Sequence, residues 1–211
     1  MIVWFSLAGV ALIIIFRRNI AEEWNFFQTR RKEWFWDKWK NWGEPFIIAA
    51  ILAVIIRTFL LGPYKIPTGS MIPTFLIGDR IFVDKVSYRF RGPERGEIIV
   101  FKYPLDEKKD FVKRLVGLSG EEIQIKDGKI VINNNQADNE KLSQNYYYNV
   151  VNSQYGEPNQ IIHVPDDSYF VLGDNSAHSS DSRSWGFVPK KNVVGRAFLI
   201  WWPPNRIKLP D

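Results

Sequence analysis

The feature that most constrains this chain is a pair of apolar runs near its N-terminus. Ile2 to Phe16 read IVWFSLAGVALIIIF without a charge, and Arg17 and Arg18 follow at once. A cleavable leader carries its positive charge before the apolar stretch, so the opposite order predicts a retained membrane helix whose C-terminal end faces the cytoplasm. Its fifteen residues fall slightly short of the roughly 17 to 25 that span a bilayer. The second run, Phe46 to Leu61, is FIIAAILAVIIRTFLL, with Arg57 near one end, where its stem can snorkel to the interface. Between the runs, residues 17–44 hold seven Lys or Arg against five Asp or Glu, and the basic count favours the cytoplasmic side. The expectation is a multi-pass anchor over residues 1–61, a transmembrane helical hairpin: span 2–16, cytoplasmic loop 17–44 and span 46–61, with everything after it outside. Trp24, Phe27, Phe35, Trp39 and Trp42 share one face of a helical wheel, as in an interfacial helix. A packed helical connector without lipid contact is the plainer alternative.

From Gly62 onward the pattern changes to short alternating segments broken by Gly, Pro, Asn and Asp, which predicts a mainly β domain of antiparallel sheets over residues 62–211. Strands are expected at Arg80 to Tyr88, Glu97 to Tyr103, Asp110 to Gly117, Glu122 to Ile125, Lys129 to Asn133, Ser168 to Leu172 and Val193 to Trp202. Asp127-Gly128, between IQIK and KIVI, is the clearest tight hairpin. Asn139 to Gln160, with its Tyr146-Tyr147-Tyr148 run, reads as a surface excursion of limited order. The chain has no cysteine, which excludes a disulfide framework and a thiol nucleophile. Its two histidines, His163 and His178, lack metal-ligand spacing, so no metal is expected. The net charge of +5 is scattered without an arginine-rich tract, and no nucleic-acid partner is expected.

Ser70 stands between Gly69 and Met71 with Pro67 and Pro73 stiffening both sides. Such a serine is either turn material or a nucleophile. A nucleophilic hydroxyl needs a base. A triad of Ser70, His178 and Asp181 can be written down, but nothing in the spacing favours it. Lysine is the other candidate. In DFVKRLVGLSGE, strand alternation puts Lys113 on one face with Phe111 and Leu115, and Arg114 on the other with Val112 and Val116. A lysine turned among apolar side chains loses pKa and becomes a neutral base, whereas on a half-exposed strand it is only a surface charge.

Three separated segments, PTGSMIPT at Pro67 to Thr74, KRLVGLSGE at Lys113 to Glu121 and GDNSAHSSDSRSWGFVP at Gly173 to Pro189, resemble the boxes of bacterial type I signal peptidase, a Ser/Lys dyad family; VVGRAF at Val193 to Phe198 follows in order. The resemblance implies a serine endopeptidase, needing no cofactor, that removes signal peptides from exported preproteins after small residues. It implies Ser70 as nucleophile and Lys113 as base, Ser179 orienting the lysine, and Asp181 with Arg183 as a supporting ion pair. For the oxyanion it implies the Ser70 backbone N–H and the Thr68 hydroxyl, at a position where several relatives carry serine. By alignment the substrate pockets are lined by Tyr64, Ile66, Phe75, Phe111 and Val112, apolar or aromatic as small side chains require. The expected place is the bacterial cytoplasmic membrane, against lipid and near the export translocon. Only nine residues, Gly62 to Ser70, separate the second run from the serine, a reach of at most about 30 Å. The rival readings are a Ser/Lys processing peptidase of a pilus or conjugation system and a non-catalytic, membrane-tethered β domain.

Overall fold

The computed structural model describes residues 24–57, Phe26 excepted, and 61–210. The chain divides into two units between Ile55 and Ile56. The expected first span, residues 2–16, lies outside the described residues, as do residues 58–60 of the second.

In the first unit, helix α1 (Arg31–Lys38) passes through a π-helical turn (Trp39–Gly43) into α2 (Glu44–Ile55). Pro45 explains the wide turn: it has no N–H to donate and its ring crowds the carbonyl of residue 41, so the ladder loosens just before it. Gly43 leaves room for the Trp39 indole, since a Cβ there would lie 2.6 Å from the ring. The aromatic residues expected on one face of the loop do not lie on one unbroken helix. Arg30 leaves helical geometry at φ −138°, ψ 56°, and Phe27 packs edge-on against Trp34, with ring centroids 5.0 Å apart, while Phe35 stacks with Trp39. A helical wheel assumes an unbroken helix, and Arg30 interrupts it. Phe46, Ile47, Ile48, Ile51, Leu52, Val54 and Ile55 are all exposed, so α2 is apolar on every side without a core of its own. Among the described residues no helix is long and apolar enough to cross a membrane.

The second unit is built on two antiparallel sheets with short helical turns between strands. Its larger sheet contains β1 (Leu61–Lys65), β2 (Arg80–Asp84), β3 (Ile98–Tyr103), β4 (Asp106–Gly117), β9 (Ser168–Leu172), β10 (Val188–Pro189) and β11 (Val193–Trp202), in the order β1-β2-β11-β3-β4-β9-β10. A smaller sheet, of β5 (Glu122–Lys126), β6 (Lys129–Ile132), β7 (Asn135–Gln136) and β8 (Ile162–His163), runs β7-β6-β5-β8. The Asp127-Gly128 hairpin forms as expected, with φ of 48° and 73° at its two corners, the positive values that favour Asp or Asn followed by Gly.

Two sequence expectations need correction. Strand β1 was not foreseen, because Gly62 and Pro63 disguise it; Pro63 is tolerated because β1 is an edge strand. The stretch from Asn139 to Gln160 is packed rather than loose. It opens with α3 (Glu140–Ser143), capped by the Asn139 side chain, and buries Leu142 and Tyr147 in the core of the smaller sheet. Its polar composition hid two anchors spaced too irregularly to show a period.

Candidate active site

The turn after β1 carries the serine. It is closed by Ile66 N–H to Asp79 O and Gly78 N–H to Ile66 O, and Asp79 is held by Arg206 at 2.9 Å. Met71 and Phe75 plug its underside. Ser70 thereby borders a cleft of about 330 Å³ that is also lined by Tyr64, Ile66 and Thr68 and by Phe111, Val112 and Lys113 of β4. Phe75, expected among the pocket linings, is instead 0% exposed within the core. It follows Ser70 by five residues on a turn that folds inward, so alignment to the motif did not reveal which way it points.

Lys113 is 4% exposed, and its Nζ lies 2.7 Å from Ser70 Oγ. Burial is the main force lowering its pKa, the Asp181 and Asp174 carboxylates oppose it and the Arg183 charge adds to it, with a net value of about 8. The amine is therefore partly neutral near physiological pH and can accept a proton from the hydroxyl it touches. Alternation separated Lys113 from Arg114 correctly but judged only one face buried. Arg114 is 2% exposed and grips Asp174 with two hydrogen bonds of 2.7 Å, so β4 is covered on both faces at this point.

Asp174 accepts a further hydrogen bond from Thr74 Oγ1 at 2.5 Å, which ties the serine turn to the turn after β9. The second buried pair is Asp181 with Arg183, both fully enclosed and joined in a fork at 2.8 and 2.7 Å. Asp181 also accepts from Gly173 N–H, and Arg183 donates to Tyr148 O and to Ser176 Oγ and O. Forked guanidinium–carboxylate contacts fix orientation as well as charge. With both oxygens of Asp181 so engaged, a triad through His178 is not formed; His178 is exposed at the cleft rim. His178→Ala should keep peptidase activity within about twofold of the parent, as expected for a surface change away from the reacting groups, measured as kcat/KM on a peptide substrate.

Ser179 was expected to hydrogen-bond the lysine, but its buried Oγ has no hydrogen-bond partner among the described residues. It packs beside Gly173, where an added Cβ would lie 2.2 Å from Ser179 Oγ and 2.5 Å from Ser70 O. Only glycine lets the two turns approach this closely. Gly173→Ala should lower kcat/KM by about 100-fold, the scale of a displacement of roughly 1 Å at a reacting group; unchanged kinetics would show that the turns have slack. The Ser70 N–H and the Thr68 hydroxyl have no hydrogen-bond partner among the described residues, and both residues border the cleft. In the same cleft, burial and then the Asp110 carboxylate push the pKa of the Tyr64 phenol up to about 12.

Sequence reasoning missed Gly173, Asp174, Asn175 and Ser176 as individual contributors, and Arg114 with them. Several of their contacts reach far along the chain, as from Arg114 to Asp174 and from Asn175 to Gly69, and none follows a strand or helix period; the only available signal was membership of the two motifs that hold them. The family described as signal peptidase, peptidase S26, matches residues 39–202. A probable signal peptidase I-2 from Synechocystis is 42% identical over 177 residues, covering 81% of this chain and 77% of that protein. Signal peptidase I of Leptolyngbya laminosa is 40% identical over 168 residues, or 76% and 78% of the two chains. That of Pseudomonas fluorescens is 33% identical over 216 residues, or 81% and 76%. With most of its length matched, and a serine and a buried lysine in contact on the matched segments, this chain belongs to the signal peptidase family, peptidase S26.

Proposed function

We propose that this chain is a membrane-anchored serine endopeptidase that removes signal peptides from exported preproteins. The observation that carries the reading is the 2.7 Å contact between Lys113 Nζ and Ser70 Oγ at the wall of an apolar cleft. Neutral Lys113 takes the hydroxyl proton as Ser70 Oγ attacks the scissile carbonyl. The Ser70 N–H and Thr68 Oγ1 receive the developing oxyanion. The ammonium of Lys113 then protonates the leaving amine, an acyl-enzyme remains on Ser70, and a water activated by the same lysine releases it. Asp181 and Arg183 brace the turn around the dyad. Ser179, whose hydroxyl has no competing partner among the described residues, is free to orient the lysine as the family resemblance implies.

Tyr64, Ile66, Phe111 and Val112 offer shallow apolar surface, suited to small side chains one and three residues before the cut, the Ala-X-Ala type. Residues 1–61 form the anchor, with spans at 2–16 and 46–61 and a cytoplasmic loop at 17–44, and the catalytic domain, residues 62–211, lies on the extracytoplasmic side of the bacterial cytoplasmic membrane near the translocon. Two features support this: the all-round apolar exposure of α2, which suits lipid better than water, and the basic loop before it. The short connection to Ser70 keeps the cleft near the bilayer, where a signal helix ends. The test is incubation with a precursor whose signal ends in Ala-X-Ala, with the cut located by mass; an intact precursor, or a cut elsewhere, would overturn the reading. Protease accessibility of residues 62–211 in sealed vesicles tests the topology separately.

A further inference from the structure

Asn175 holds the serine turn by two hydrogen bonds at once. Its side-chain Nδ2 donates to Gly69 O at 3.0 Å, and its backbone N–H donates to Ser70 O at 3.0 Å. The first bond falls on the Gly69–Ser70 peptide unit itself. A trans peptide is planar, with its C=O and N–H pointing in opposite directions, so fixing the Gly69 carbonyl fixes the direction of the Ser70 N–H. Hydrogen bonding to a peptide carbonyl also polarises that peptide and strengthens its N–H as a donor. The Ser70 N–H is engaged by no other group among the described residues.

We infer that Asn175 is a positioning residue for the oxyanion donor: its side-chain amide aims and polarises the Ser70 N–H through the carbonyl of the same peptide. The inference rests on Ser70 being the nucleophile of peptide hydrolysis. Gly69 O has a second partner, Ile72 N–H at 3.2 Å, so the turn stays closed without the amide. The backbone bond from Asn175 to Ser70 O also survives any side-chain change. Removing the amide therefore loosens one peptide plane without dismantling the turn.

The experiment compares wild type with Asn175→Ala, Asn175→Ser and Asn175→Asp. The first two lose reach to Gly69 O, and the third places a carboxylate against it. On a cleavable peptide, kcat should fall by about 10- to 100-fold, somewhat below the roughly 100- to 1000-fold cost of deleting an oxyanion donor outright, and KM should change by less than about threefold. The apparent pKa of the kcat/KM profile should stay where wild type has it, because Lys113 is untouched. A peptide aldehyde, whose adduct with serine carries the oxyanion, should lose affinity in proportion to kcat/KM, while the corresponding uncleavable peptide should bind as before. Equal losses for both ligands, a shifted pH midpoint, or full activity in all three variants would each overturn the inference while leaving the proposed function standing. An inactive wild type would overturn both.

Discussion

Lys113→Met should reduce precursor processing by about 10⁴-fold or more, the scale seen when the base of a serine hydrolase is removed, while leaving the protein folded. Methionine matches the length of the lysine stem, and at a site only 4% exposed it removes an ammonium that burial disfavours. Thermal stability should therefore be unchanged or slightly higher, which separates loss of the base from loss of the fold. Lys113→Arg should be equally inactive, because a guanidinium does not deprotonate at any usable pH. In the wild type, kcat/KM should rise with pH and level off above the depressed lysine pKa of about 8, since only the neutral amine can take the Ser70 proton. An active arginine variant, or a profile flat between pH values of about 6 and 9, would remove Lys113 from the role of base.

The largest effect on stability is expected from Asp181→Ala. It leaves the Arg183 guanidinium, fully enclosed, without its carboxylate, and breaking a buried pair from one side typically costs about 3–5 kcal/mol. For a domain of this size that corresponds to a fall in Tm of about 10 °C, readable by calorimetry on the purified chain. Asp181→Asn should be milder because it keeps the shape. It also removes the carboxylate that most raises the Lys113 pKa while leaving the Arg183 charge that lowers it. The midpoint of its pH profile should move to lower pH, and a midpoint displaced upward would contradict the electrostatics assigned to the site.

How far the sequence could be read depended on whether a feature was local. Ser168–Leu172 and Val193–Trp202 form strands with the bounds expected of them, because turn residues and β-favouring side chains mark both segments locally. The inward turn of Lys113 was legible from the alternation of its own strand. Arg114 was not, because a period of two contrasts the faces of a strand only when one of them meets solvent, and here a charged side chain is buried against Asp174, 60 residues on. Phe75 was placed in the cleft because it lies near the motif, yet the fold of the turn, set by Asp79 and Arg206, directs it into the core. Ser179 came from resemblance alone, and its hydroxyl stands beside Gly173 without the bond expected of it.

The distance along the chain between the parts of the site has a consequence for biosynthesis. Ser70 and Lys113 are 43 residues apart, whereas the Asn175 amide reaches back 106 residues to Gly69, and Arg183 comes later still. A chain emerging from the ribosome presents Ser70 and Lys113 long before the segment that clamps and braces them, and contacts of such long range form only after most of the domain can collapse. A nascent copy is thus born without a working cleft. It acquires one only when synthesis of the domain is nearly finished.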